Sequence, residues 1–432
     1  MLDIRYGLYL VIFSMPLYLV RFSLFGIPTT LLETMIYILF LAWLLQENSK
    51  DERFKRISLL FKNEKRLSCG IFLLFAGLFI STAYSSDLRA SLGIVKGWFL
   101  DPFLFFLVFI SRIKLENDMK NVLLSWVLSG FAVALISICY IFAGSLTFDG
   151  RLKAFFLSPN HLAMYLAPAF LIVFAILVHN KNFMPGYMIE KTEIWKFGNL
   201  KLRITGNGLL IMIFAMIAVP LFLTRSYGAF FAIFIAMACL AYAYKNKNIN
   251  ALRVCNKPKH ILIAGIMLAI VLFAVYGKLS QVYDSNGRSS LHSRFMIWNA
   301  SWEMIKASPI IGIGPGTFQE EYLSISGKFK EPYLEWAVPQ PHNIFLAFYL
   351  QTGLTGFIGF MLLLFWIFEK GNKNGISKLI MAYILLHGLV DTTYWKNDLA
   401  LMFWLVFGIA SSMRINMLEK SLNKQDDKSF LD

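Results

Sequence analysis

The sequence is poor in charge, in cysteine and in acidic motifs, and each shortage excludes a class of protein. Only 16% of its 432 residues are charged, against 57% hydrophobic, a balance no water-soluble domain of this size needs for its core. Cys69, Cys139, Cys239 and Cys255 fall in apolar runs or in one basic connection, with no pair in an outer segment; neither a disulfide framework nor a zinc site is expected. No Asp-x-Asp stands where it could hold a metal and a nucleotide diphosphate. The lysine and hydroxyl spacing of a P-loop is missing, as is a Gly-x-Ser-x-Gly elbow, and no low-complexity stretch or internal repeat interrupts the chain.

What the chain has in quantity is apolar sequence. Mean hydropathy is positive, and apolar runs recur at about the ~17–25 residues a bilayer-spanning helix requires. They predict twelve spans, near 6–20, 27–45, 69–84, 94–111, 121–143, 162–178, 207–223, 226–244, 260–276, 344–368, 377–392 and 398–413. The first run leads straight into another span with no small-residue cleavage site between them, so it is expected to stay as a helix. The fold expected is an all-α polytopic membrane protein, a single integral membrane domain over residues 1–432.

The formal charge of +15 raises the question of nucleic acid, and the placement of the basic residues answers it. With alternating spans, most Lys and Arg collect in one set of connections: Arg5, 50–66, 112–120, 181–203, 245–259, 370–378 and 414–428. This is the positive-inside pattern, which predicts both termini in the cytoplasm. No basic run is interleaved with stacking aromatics, so no nucleic-acid partner is expected.

One connection is unlike the others. Residues 277–343, between the ninth and tenth spans, form the large outer loop, and its Trp298, Trp302, Trp336, Tyr283, Tyr322, Tyr333, Phe295 and Phe318 argue for folded structure rather than disorder. Within it, 291–307 reads as an amphipathic helix with Arg294, Trp298 and Trp302 on one stripe, suited to the headgroup level. The following GIGPGTF (312–318) is a turn by composition.

Candidate chemistry gathers on the same outer side. PHNIFLAFYLQTGLTGF (341–357) opens with His342 and Asn343 and continues as an apolar helix. Pro339 and Pro341 disfavour helix before His342, which puts the ring at the helix start. On an ideal helix, Gly353 and Gly356 fall within about 40° of His342, so the glycines are expected to continue the histidine's own face and admit a neighbouring helix closely. Arg225 sits at the short junction between the seventh and eighth spans, where an arginine is costly unless it meets water or an anion. Arg288 and Arg294 flank His292 in the large loop, and Arg151, Lys153 and His161 cluster before the sixth span. Converging guanidinium forks suit a diphosphate. For each of these residues a structural role, as cap, helix-end cation or headgroup contact, competes with the chemical one. Lys96, Asp101, His387 and Asp391 are the candidate ionisable residues deep in predicted spans; they are few and several lie near span ends, thin for the polar relay of a proton-coupled transporter.

These features together resemble the O-antigen ligase family, a superfamily that includes lipid-linked polysaccharide polymerases. The resemblance rests on twelve predicted spans with the largest outer loop between the ninth and tenth, and on the motif His342-Asn343, nine residues, then Gly353-Leu-Thr-Gly356. Arg225 matches the family's arginine after the seventh span and Arg294 its arginine in the large loop; Arg288 has no clear counterpart. The resemblance implies glycosyl transfer from an undecaprenyl-diphosphate-linked glycan at the periplasmic face of the bacterial inner membrane, onto the lipid A core in a ligase or onto a second lipid-linked glycan in a polymerase. It implies His342 as base, Arg225 and Arg294 as diphosphate ligands, Asn343, Gly353 and Gly356 as structural motif, inversion at the anomeric centre, and neither metal nor other cofactor; Arg288 joins the expected diphosphate ligands only through the converging-fork argument. A polysaccharide or lipid transporter is the reading from a different class.

Overall fold

A computed structural model describes residues 3–46, 50–178, 193–197, 200–204, 206–245, 290–325, 338–370 and 375–429. In chain order the helices are α1 (Ile4–Phe13), α2 (Leu31–Leu45), α3 (Lys50–Asn63), α4 (Lys65–Ala83), α5 (Leu88–Ile94), α6 (Asp101–Arg112), α7 (Glu116–Phe142), α8 (Pro159–Val178), α9 (Gly206–Leu223), α10 (Tyr227–Lys245), α11 (Ser290–Ala307), α12 (Phe318–Ile325), α13 (Ile344–Lys370), α14 (Ile376–Gly388) and α15 (Asn397–Ser429). A π-helical turn, Val95–Leu100, joins α5 to α6. Two antiparallel hairpins, Arg21–Leu24 with Ile27–Thr30 and Glu193–Phe197 with Leu200–Ile204, are the strands of the described chain.

Among the described residues, six helical stretches are long and apolar enough to cross a membrane, Lys65–Ala83, Leu88–Arg112, Glu116–Phe142, Pro159–Leu177, Ile344–Lys370 and Asn397–Asn423. Shorter apolar helices occupy the predicted first, second, seventh, eighth and eleventh spans, and the predicted ninth lies outside the described residues. The chain is an all-α, multi-pass membrane protein. The first predicted span is cut short: α1 ends at Phe13, and Met15–Leu19 continue as a 3₁₀ turn with Pro16 in its first turn, where the missing N–H costs nothing.

Two compact units make up the chain: Met1–Met119 with Val282–Lys373 and His387–Asp432, and Lys120–Gln281 with Asn374–Leu386. In the first unit, α4 and the second half of α13 meet backbone to backbone. A Cβ built on Gly77 would lie 2.1 Å from Gly356 N, and one on Gly359 would lie 2.3 Å from Leu74 N. Glycine is needed because no side chain fits between the two helices.

The described part of the large loop, 290–325 with 338–343, packs onto α13. Ile297, Ala300, Met304 and Ile305 of α11 form one buried cluster with Phe318 and Tyr322 of α12, Val338 and Leu350. Of the predicted stripe, Trp302 is exposed while Arg294 and Trp298 are half-buried; the core face of α11 is the aliphatic one.

The expectation of one unbroken helix carrying both glycines below His342 is corrected. Gly353 has φ 65° and ψ −178°, a region essentially closed to other residues, and it divides α13 in two. Into the break fits the turn after α11: Leu354 N donates to Ile310 O at 2.9 Å and Ile313 N to Leu350 O at 2.7 Å. Gly353 is glycine because a Cβ there would lie 2.6 Å from the carbonyl oxygens of Ile310 and Ile311. The glycine turn is shaped by the same contact. Its Gly312, Gly314 and Gly316 all have positive φ, and the amides of Gly312, Ile313 and Gly316 donate to Ser308 O, Leu350 O and Gln351 Oε1. Those amides face protein acceptors rather than a phosphate.

Candidate functional site

The histidine motif is built by capping. Asn343 Oδ1 accepts from Phe345 N at 2.9 Å and Leu346 N at 3.1 Å, which satisfies the first amides of α13 and starts the helix there. His342 precedes the cap with φ 48°, an uncommon conformation for a residue bearing Cβ. It persists only when the surroundings over-determine it, and here they do.

Those surroundings are the segment after α14, which ends at Gly388, so Leu389, Val390 and Asp391 lie outside the helices. Three groups grip this turn. Asn343 Nδ2 donates to Leu389 O at 3.0 Å, Arg294 Nε donates to Val390 O at 2.7 Å, and His342 Nδ1 lies 3.2 Å from Asp391 Oδ1. A carboxylate can only accept, so Nδ1 carries the proton and donates. In the neutral ring the other nitrogen, Nε2, is then the acceptor.

Asp391 is buried and its Oδ1 also accepts from Thr392 N at 2.9 Å. Burial pushes its carboxyl up, but the hydrogen bond from His342 and the neighbouring charges of His342, His387 and Arg294 outweigh it and hold the group below the usual carboxylate range. Asp391 is therefore an ionised acceptor beside a ring that is about a third exposed, at 36% of its side-chain surface.

Arg225 and Arg151 belong to the second unit. The connection between α9 and α10 is Thr224–Ser226, as short as the sequence suggests, and Arg225 sits in it with φ 46°. Its side chain is exposed, with Nη1 donating to Asp149 O at 3.4 Å. Arg151 Nε donates to Thr224 O at 2.8 Å and Nη2 to Asn160 Oδ1 at 2.6 Å, while Leu152 N donates to Leu223 O. The 147–152 loop and the Arg225 junction are thus laced together. His161 is buried with its ring 4.6 Å from that of Phe156, a packing role for the imidazole.

The structure therefore brings His342, Asn343 and Arg294 onto one turn of the first unit, and Arg225 with Arg151 onto one junction of the second. His292 is exposed at the start of α11, and Arg288 lies outside the described residues. Gly353 and Gly356 serve the backbone contacts described above. Asp391 is the partner that sequence reasoning did not assign. The signal was present, an acidic residue inside an apolar run, but its pairing spans the 49 positions between His342 and Asp391 and no spacing rule connects them.

No curated protein matches the chain. Residues 209–361, which hold Arg225, Arg294 and the whole histidine motif, match the family described as O-antigen ligase, and this match supports the O-antigen ligase family for the chain.

Proposed function

We propose that the protein is an O-antigen ligase of the bacterial inner membrane, moving an undecaprenyl-diphosphate-linked glycan onto the lipid A core oligosaccharide at the periplasmic face. The observation that carries this reading is the committed hydrogen bond from His342 Nδ1 to Asp391, which leaves Nε2 of a partly exposed ring to take a proton.

In the reaction, His342 Nε2 accepts the proton of an acceptor sugar hydroxyl as its oxygen attacks the anomeric carbon. The bond from that carbon to the diphosphate oxygen breaks, undecaprenyl diphosphate leaves, and the configuration inverts. Asp391 holds the tautomer and stabilises the imidazolium that forms, the division of labour of a base and its orienting carboxylate. Arg294, which grips the same turn as His342, neutralises the charge that develops on the leaving group, where a cationic fork acts most strongly; the same role for Arg225 rests on the family resemblance, and for Arg288 on the suitability of a guanidinium fork for a diphosphate. Positive-inside patterning supports cytoplasmic termini and a periplasmic site.

The testing experiment is reconstitution of the purified full-length protein in proteoliposomes with an undecaprenyl-diphosphate glycan and either lipid A core or a second lipid-linked glycan. Glycan on lipid A core is the expected product. Elongation of the lipid-linked glycan alone would make the protein a polymerase of the same superfamily, and no covalent product, with glycan moved across the bilayer, would make it a transporter.

A further inference from the structure

Below the histidine motif, inside α13, one side chain bonds to three segments at once. Gln351 is fully buried, at 0% exposure. Its Oε1 accepts from Trp395 Nε1 at 2.6 Å and from Gly316 N at 3.2 Å, and its Nε2 donates to Gln340 Oε1 at 2.8 Å. The amide orientation is dictated by chemistry, because an indole nitrogen only donates and must therefore meet the oxygen.

The partners are the reason this matters. Gln340 stands two positions before His342, with Pro341 between them, whose ring fixes φ and makes the link stiff. Trp395 stands four positions after Asp391 in the same non-helical connection, and its ring packs against Phe348 and Phe99. Gly316 ends the glycine turn that fills the Gly353 break. One amide therefore ties the segment carrying His342 to the connection carrying Asp391, on a helix that starts at the motif itself.

We infer that Gln351 is a positioning residue for transfer, setting the His342–Asp391 spacing by holding Gln340 and Trp395 at once. The inference rests on the reading of His342 as the base. Gln351 does not touch substrate; it acts through the left-handed backbone of His342, a conformation that its neighbours must impose.

The test uses the full-length protein in proteoliposomes with the donor and the acceptor that the wild type elongates. Gln351→Leu removes all three hydrogen bonds and should lower kcat by roughly 10- to 100-fold, the cost of a small misplacement of reacting groups, with KM for the donor little changed. Gln351→Glu keeps both accepted bonds, and a flipped Gln340 amide can donate to it, so it should recover most of the loss. In an Asp391→Asn background, Gln351→Leu should cost nothing further, since residues acting as one unit are non-additive.

Trp395→Phe keeps the aromatic packing and removes only the indole donor; it carries the same test, with a several-fold loss in kcat, should Gln351→Leu not fold. A readout independent of turnover is the ¹⁵N imidazole spectrum of histidine-labelled protein, with the His342 signals assigned by their absence in His342→Ala. Gln351→Leu should move the Nδ1 signal. Wild-type kcat, a loss confined to KM, additivity with Asp391→Asn, or an unmoved Nδ1 signal would each overturn the inference. A wild type that transfers no glycan while the Nδ1 signal moves in Gln351→Leu would instead sink the functional reading and leave the positioning intact.

Discussion

His342 has one nitrogen to spend, because the other is committed to Asp391 at 3.2 Å. Replacing the ring with alanine should leave an inserted, folded protein whose transfer rate falls on the order of 10²- to 10⁴-fold, the usual worth of a positioned general base; a near-normal rate in the proteoliposome assay would remove His342 from that role. Asp391→Asn keeps the shape but can offer its amide N–H to the ring, favouring the wrong tautomer, and should fall within the same order of magnitude of loss. For Arg225→Lys the charge survives and the fork does not. If forked recognition of the diphosphate holds, losing one charge-assisted hydrogen bond of about 1.5–3 kcal/mol lowers donor use roughly 10- to 100-fold, seen as a drop in kcat/KM for the lipid-linked glycan.

Elements are where glycine decides the outcome. Gly353 and Gly77 look alike in the sequence, yet they do different work. Gly77 is a spacer in a regular helix, facing Gly356 at a distance no Cβ tolerates. Gly353 ends one helix and begins another, and the 309–316 turn plugs the gap. Gly353→Ala combines a forbidden dihedral with a clash against two carbonyls, and strain of this kind costs about 1–3 kcal/mol before the clash is counted. It should lower the thermal midpoint of the purified protein and loosen the loop helices, which faster hydrogen exchange across 309–325 would report. Unchanged exchange there would argue that the break is not what seats the turn. Helical periodicity put Gly353 on the face of His342 because it assumes every residue is helical; the dihedral that breaks the pattern comes from the turn packed against it, some forty positions earlier in the chain.

At the scale of the whole molecule, the proposed chemistry uses side chains alone. Transfer should be unchanged by EDTA, measured as glycan moved per unit time; inhibition restored by adding a divalent cation would count against the mechanism. Apolar length and the segregation of Lys and Arg were readable from the sequence because each is a local property, set by transfer of side chains into hydrocarbon and by charge beside a span. The start of α13, the short Arg225 junction and the ordered loop helix were readable for the same reason: proline, asparagine and a three-residue connection act on their own neighbours. The broken helix, the gripping of residues 389–391 by Asn343, Arg294 and His342, and the assignment of Asp391 as the ring's partner were decided only by tertiary structure. A hydrogen bond between positions far apart in the chain depends on where packing delivers two backbones, and no local pattern of residue types encodes that.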